Sequence, residues 1–238
     1  MLLLYYTKYK KNRKVKILEA ITLETIKHNE TVRAFIIQAD SQLEVLGFTE
    51  HGFRHAGIVS SISANILNKL DYTKKEVELA AIAGFMHDMG NVVSRHNHPQ
   101  IGAVIVWQIL RELKMDPLEI AKIVGAIGNH EETEGDVVSI ISAAQIIADK
   151  SDVHKSRVRN PNTLAFDIHD RVNYAAVKSF LKVDKENKSL TLELKIDTSV
   201  SQIMEYFEIF LERMLMCRKA AKLLNCEFGL EINEVKLL

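Results

Sequence analysis

The 238-residue chain is 47% apolar and 26% charged, which is enough to bury a sizeable core and unlike a disordered or fibrous sequence. Its 31 basic and 31 acidic residues cancel, so whole-chain charge offers no attraction for a nucleic-acid polymer or an anionic membrane, and any phosphate affinity has to be local. Two cysteines, Cys217 and Cys226, exclude a disulfide framework and lack the spacing of a zinc motif, as expected for buried thiols in a reducing compartment.

The apolar start Met1 to Tyr6 is too short to span a bilayer, and the basic stretch Lys8 to Lys16 follows it, where a signal peptide would have basic residues first. A cytoplasmic protein is expected. Residues 1–30 form an N-terminal basic segment and helix. From Thr31 to Leu46, Val32, Phe35, Ile36, Ala39, Leu43 and Leu46 share one stripe, and the next run places His55 in line with Ile58, Val59, Ile62 and Ile66. Thr73-Lys74-Lys75-Glu76 reads as a capping box opening a further helix, which carries an apolar run to Met86 and delivers His87 and Asp88, with Gly90 as its stop. Pro99 and Pro117 suit the first turns of two more helices, the second ending beside His130. Past residue 160 the period changes. Val177 to Asp184 and Leu190 to Ile196 alternate about the polar Lys185-Glu186-Asn187-Lys188, as in a β-hairpin. A long helix from Val200 to Leu224 follows, and Phe228, Leu230 and Ile232 alternate as a third strand able to pair with the hairpin. The fold class is therefore mainly α: a helical bundle over 31–160 with a small antiparallel β-containing appendage over 161–238.

His87-Asp88 carries the chemistry. A neutral imidazole nitrogen is a metal ligand, and a carboxylate can bind one cation or bridge two. His51, His55, His96, His98, His130 and Asp149 recur near predicted helix ends, which is how a bundle gathers ligands into one interior site. Five ordered segments carry a family resemblance: Glu50-His51-Gly52-Phe53-Arg54-His55-Ala56, Gly84-Phe85-Met86-His87-Asp88-Met89-Gly90-Asn91, His98-Pro99-Gln100-Ile101-Gly102, Gly128-Asn129-His130-Glu131 and Ala148-Asp149-Lys150. Over residues 45–160 the chain resembles the HD superfamily of metal-dependent phosphohydrolases.

The resemblance implies a first metal held by His55, His87, Asp88 and Asp149, with Asp88 bridging to a second held by His98 and His130. His51, one helical turn before His55, is a further candidate ligand or substrate contact. His96 competes with His98, which is preferred because His-Pro-x-x-Gly matches the family; His28, His154 and His169 read as surface residues. Two divalent ions about 3.5–4 Å apart bind phosphate oxygens and lower the pKa of water, so that hydroxide attacks phosphorus in line. Asp88, Lys150 and Arg157 are the catalytic candidates, with Arg159 and Arg54 as outer phosphate contacts and Glu131 orienting water or a histidine nitrogen. The mixed donors suit iron or manganese first, with cobalt, nickel or zinc as alternatives.

Two branches of the superfamily are nearest. Ala148-Asp149-Lys150, Arg157 and His98 to Ala103 look like the bacterial dinuclear enzymes that cleave diadenosine tetraphosphate, although the extension past residue 175 has no counterpart there. The ligand order also looks like the HD-GYP cyclic-di-GMP phosphodiesterases. Asn129 in place of a histidine, Asn91 in place of a lysine, and Gly135-Asp136-Val137-Val138 in place of Gly-Tyr-Pro disfavour that activity. The expected function is hydrolysis of a phosphorylated small molecule, nucleotide in type, with no nucleic-acid polymer or membrane as partner. A homodimer through the appendage and a non-catalytic HD-fold binding module are the open alternatives.

Overall fold

The computed structural model describes residues 20–160 and 167–238; the apolar and basic start of the chain lies outside them. Among the described residues, seven helices precede the first gap: α1 (Leu23–His28), α2 (Glu30–Val45), α3 (Phe53–Lys69), α4 (Lys74–Met86), α5 (His98–Glu112), α6 (Pro117–Gly128) and α7 (Ile140–Lys150). Their ends follow local chemistry. Asn29 caps α2 through the Val32 amide, and Asp116 caps α6 through the amides of Leu118 and Glu119 with Pro117 in the first turn. Thr73 and Glu76 form the expected reciprocal capping box on α4. Helix α4 is apolar on every side from Leu79 to Met86 and lies at the centre, packed on α3, α6 and α7.

Two details depart from the sequence reading. His87 and Asp88 lie past α4, in a tight 3₁₀ turn from His87 to Val92 that packs against α2 and the start of α5. Gly90 sits inside that turn and does not stop α4 by a left-handed cap. Its role is steric: a Cβ there would stand 1.9 Å from the His98 carbonyl oxygen and 2.6 Å from the Gly102 amide nitrogen. Only a hydrogen at that position lets the turn carrying Asp88 meet the turn carrying His98.

The second half holds α8 (Ile168–Ala175), β1 (Ala176–Asp184), β2 (Ser189–Ile196), α9 (Ile203–Leu223), β3 (Glu227–Ile232) and β4 (Val235–Lys236). Helix α8 was not anticipated, because its sequence is mostly polar; Asp167 caps it through the amides of His169 and Asp170, and Val172 and Ala175 bury its inner side. The hairpin forms as expected, with a bulge between Ala176 and Lys178 that moves Val177 off the buried face. The third strand joins differently. β3 pairs in parallel with β2, from Ser189 opposite Glu227 to Leu194 opposite Ile232, giving a mixed sheet in the order β1-β2-β3-β4. The cause is α9, whose 21 residues form the crossover that a parallel pairing needs. Tyr206, Phe210, Met214 and Cys217 bury the stripe of α9 between the sheet and α7, so bundle and appendage share one core. No described helix is long and apolar enough to cross a membrane.

Gly90→Ala is expected to lose about 2 kcal/mol or more of stability through backbone overpacking, and to separate Asp88 from His98. Urea unfolding together with metal content of the same preparation checks both; a variant with parental stability and metal content would refute the close-packing role.

Candidate metal centre

Each histidine at the centre is oriented by its own Nδ1. His87 faces the Gly84 carbonyl at 2.9 Å, His98 the Arg95 carbonyl at 3.0 Å and His130 the Ile127 carbonyl at 2.7 Å, in every case the carbonyl three residues back. His55 faces Asp152 Oδ2 at 2.7 Å. All four Nδ1 atoms therefore donate, and in the neutral rings all four Nε2 atoms present lone pairs. Those lone pairs converge in two couples, His55 with His87 at 3.3 Å and His98 with His130 at 3.2 Å. Two lone pairs at that separation attract nothing unless a cation lies between them.

The carboxylates complete the arrangement. Asp88 Oδ2 stands 3.2 Å from His87 Nε2 and 3.5 Å from His55 Nε2, while Oδ1 stands 3.4 Å from His98 Nε2 and 3.9 Å from His130 Nε2. One carboxylate thus serves both couples. Asp149 Oδ1 joins the first couple, 3.3 Å from His55 and 3.7 Å from His87, and Glu131 Oε2 joins the second, 3.6 Å from His98. Few donors reach these atoms. Asn91 Nδ2 donates to Asp88 Oδ1, Lys150 Nζ to Asp149 Oδ2, and Arg95 Nη1 lies 3.3 Å from His98 Nε2. Asp88 Oδ2 is buried with no hydrogen-bond donor at all. Buried lone pairs and anions without donors are costly unless a cation fills the space, and the three overlapping donor groups His55/His87/Asp149, His87/Asp88/His130 and His98/His130/Glu131 fit divalent ions.

Electrostatics point the same way. Burial, reinforced by the charges of His87 and His98, keeps His130 neutral, with a pKa well below the usual imidazole range. Burial would also lower His87, but the charge of Asp88, joined by the nearby Asp149 carboxylate, reverses this and lifts it to about 10. In the absence of a cation a proton fills part of the space, and a metal ion replaces it on binding. Burial would raise Asp88 and Asp149; the His87 charge on the first and the Lys150 charge on the second hold both well below the carboxylate range.

The residues expected from sequence separate into two groups. His55, His87, Asp88, His98, His130 and Asp149 come together. His51 does not join them: α3 begins only at Phe53, so His51 lies on the preceding loop, with its Nδ1 donating to Thr49 O and its Nε2 accepting from Arg157. Both nitrogens are used. Arg157 is largely committed as well, since three more of its N–H groups go to Glu50 O and Asp152 O. It ties the loop to the end of α7 with four of its five N–H groups. Arg159 binds Asp40 and Arg54 forms a two-pronged pair with Asp152, so both are structural as well.

Four residues of consequence escaped sequence reading. Asp152 orients His55, Asn91 orients Asp88, Arg95 stacks over Phe48 at the mouth, and Arg213 arrives from α9. Asn91 and Asp152 each lie three residues past a ligand carboxylate, a signal that was available. Above the cluster opens a cleft of about 430 Å³, walled by residues of the bundle and by Asp167, Asp170, Asn173, Phe210 and Arg213 from α8 and α9. Lys150 lies at its floor; burial alone would lower its pKa, but Asp149 and Glu132 raise it and the ammonium stays charged.

Asp152→Asn is expected to weaken metal retention about 10- to 100-fold, because the His55 ring loses its anionic partner; competition against a graded chelator series checks it, and unchanged retention would refute it. Glu132, buried but flanked by Lys150 and Arg213, is held at about 2, below its ordinary 4.5. A depressed carboxylate stabilises the fold fully above its unfolded pKa and loses that contribution as pH falls toward the folded value. Glu132→Gln is thus expected to be less stable than the parent at pH 7, with the gap narrowing from pH 4.5 downward; denaturant titrations across pH 3–7 measure it.

No curated protein matches the sequence. Among solved structures, the chain is similar to that of a predicted HD superfamily hydrolase from an uncultured Thermotogales bacterium, at 18% identity over 53% of this chain and 69% of that one, with a TM-score of 0.43. The HD-domain family model matches residues 52–172, just over half of the sequence, and that span contains His55, His87, Asp88, His98, His130 and Asp149. The chain belongs to the HD-domain family.

Proposed function

We propose that the chain is a dinuclear phosphohydrolase that cleaves a phosphomonoester, phosphodiester or phosphoanhydride bond of a nucleotide-type molecule with water as the nucleophile. HD-family membership and the clustered histidines and carboxylates support metal-dependent phosphohydrolysis in general. The observation that carries the dinuclear reading is Asp88, whose two oxygens face two separate couples of imidazole lone pairs.

His55, His87, Asp149 and Asp88 would hold one divalent ion, and His98, His130, Glu131 and Asp88 the other. When bound, such ions neutralise phosphoryl oxygens and lower the pKa of water so that hydroxide is available near neutral pH. The protein's own residues do the rest. Lys150 Nζ, 2.8 Å from Asp149 Oδ2, keeps that carboxylate turned toward the histidines. Arg95, partly exposed at the mouth and close to Glu131, brings positive charge to the place where an anionic substrate enters. The described cleft wall holds neither serine nor cysteine, and burial pushes the nearby Cys217 thiol far up, so neither a serine nor an activated thiol competes with water there. A volume of about 430 Å³ suits a nucleotide-sized ligand.

The parent protein, prepared without chelator, is expected to carry close to two divalent ions per chain, His130→Ala about one, and Asp88→Ala one or fewer. Release of phosphate from a panel of nucleotides should fall about a thousandfold or more in Asp88→Ala. Elemental analysis and phosphate release decide it. A metal-loaded, folded parent without turnover on any phosphate ester would favour the non-catalytic binding module.

A further inference from the structure

Helix α9 lies beyond the residues that match the HD domain, yet it brings a cation to the same cleft. Arg213 is unlike the other arginines near the site. Its Nε donates to Glu132 Oε1 at 2.8 Å, and its guanidinium lies over the Phe210 ring at 4.9 Å from the centroid. Its two Nη groups have no hydrogen-bond partner among the described residues, and the side chain keeps 26% of its surface accessible while lining the cleft. Arg157, Arg159 and Arg54, by contrast, use their Nη groups on the protein itself. A guanidinium fixed at Nε and stacked on its face, with the fork free, is preorganised to take two oxygens of one tetrahedral anion.

The anchor is linked to the metal ligands. Glu132 Oε2 lies 2.8 Å from Lys150 Nζ, an ion pair off hydrogen-bond alignment, and Lys150 in turn holds Asp149. The chain of contacts Asp149, Lys150, Glu132, Arg213 fixes the guanidinium relative to the cluster, but on the appendage wall and outside the metal-ligand groups. A phosphate bound at the cluster would leave Arg213 for a second anionic group of the same molecule.

Resting on the phosphohydrolase reading, we propose that Arg213 is a specificity-determining residue that binds a non-reacting second phosphate, so that the substrate class is one with at least two phosphate groups. The ring of Phe210 keeps the guanidinium in plane, and Glu132 prevents it from folding onto Asp149.

The test is calorimetric, on the metal-loaded full chain, with inorganic orthophosphate and inorganic pyrophosphate as probes. The parent is expected to bind pyrophosphate about tenfold or more tighter than orthophosphate, in line with one added charge-assisted bidentate contact. Arg213→Met should remove that preference while leaving orthophosphate affinity and metal content as in the parent. Arg213→Lys, which keeps the Glu132 pair but lacks the fork, should lose most of it and remains informative if the methionine variant folds poorly; Glu132 retains Lys150 as a partner in both. Equal weakening of both probes, or a pyrophosphate preference that survives in a folded Arg213→Lys variant, overturns the subsite. Failure of the metal-loaded parent to bind either anion overturns the phosphohydrolase reading itself, and this inference with it.

Discussion

The structure depends on one orienting interaction, the Nδ1–H bond that turns each imidazole so that its Nε2 faces inward. Three of the four bonds are local, from histidine i to the carbonyl of residue i−3, and two of these, at His87 and His130, use carbonyls near helix ends that have no partner inside the helix. The same contact satisfies an orphan acceptor and aims a ligand. A metal ion arriving at such a site meets nitrogens already pointed inward, so once it displaces the proton on His87 little reorganisation opposes binding.

His55 is the exception, and it shows how the bundle closes. Its orienting partner is Asp152, 97 residues away in sequence, which also accepts two bonds from Arg54. Burial would raise the pKa of Asp152, but the hydrogen bond from His55 and the charge of Arg157 hold it well below the carboxylate range. Arg157 then reaches back to the loop carrying Glu50 and His51. Residues expected to touch substrate form the clamp that joins the start of α3 to the end of α7. A buried charged network of this kind is tolerated because every member has a partner of opposite charge or a carbonyl.

The appendage is more than a lid on the core. Through Lys150, Glu132 and Arg213 it is electrostatically continuous with Asp149, and through Tyr206, Phe210 and Met214 it shares the apolar core with α7. Helices α8 and α9 supply one wall of the cleft whose floor is the HD cluster. A family scaffold that can gather divalent ions is thereby given a wall of its own.

Much of the fold was legible because the signals were local. Period and capping gave the helices from α2 to α6: the Thr73/Glu76 box, Pro117 after Asp116, and the apolar stripe of α2 all act within a few residues. Strict alternation gave the hairpin, and the ordered spacing of His55, His87-Asp88, His98, His130 and Asp149 pointed to one site before any contact was known. Only tertiary structure decided the rest. That His51 spends both nitrogens on Thr49 and Arg157, and that Arg157 is tied up in turn, follows from a loop meeting the end of α7 across more than 100 residues. The parallel pairing of β3 with β2 depends on where α9 packs, and Arg213 reaches the cleft only because α9 lies on α7. Local patterns specify elements and the side chains they carry, whereas the partner of each charge is chosen by the packing of elements far apart in the chain.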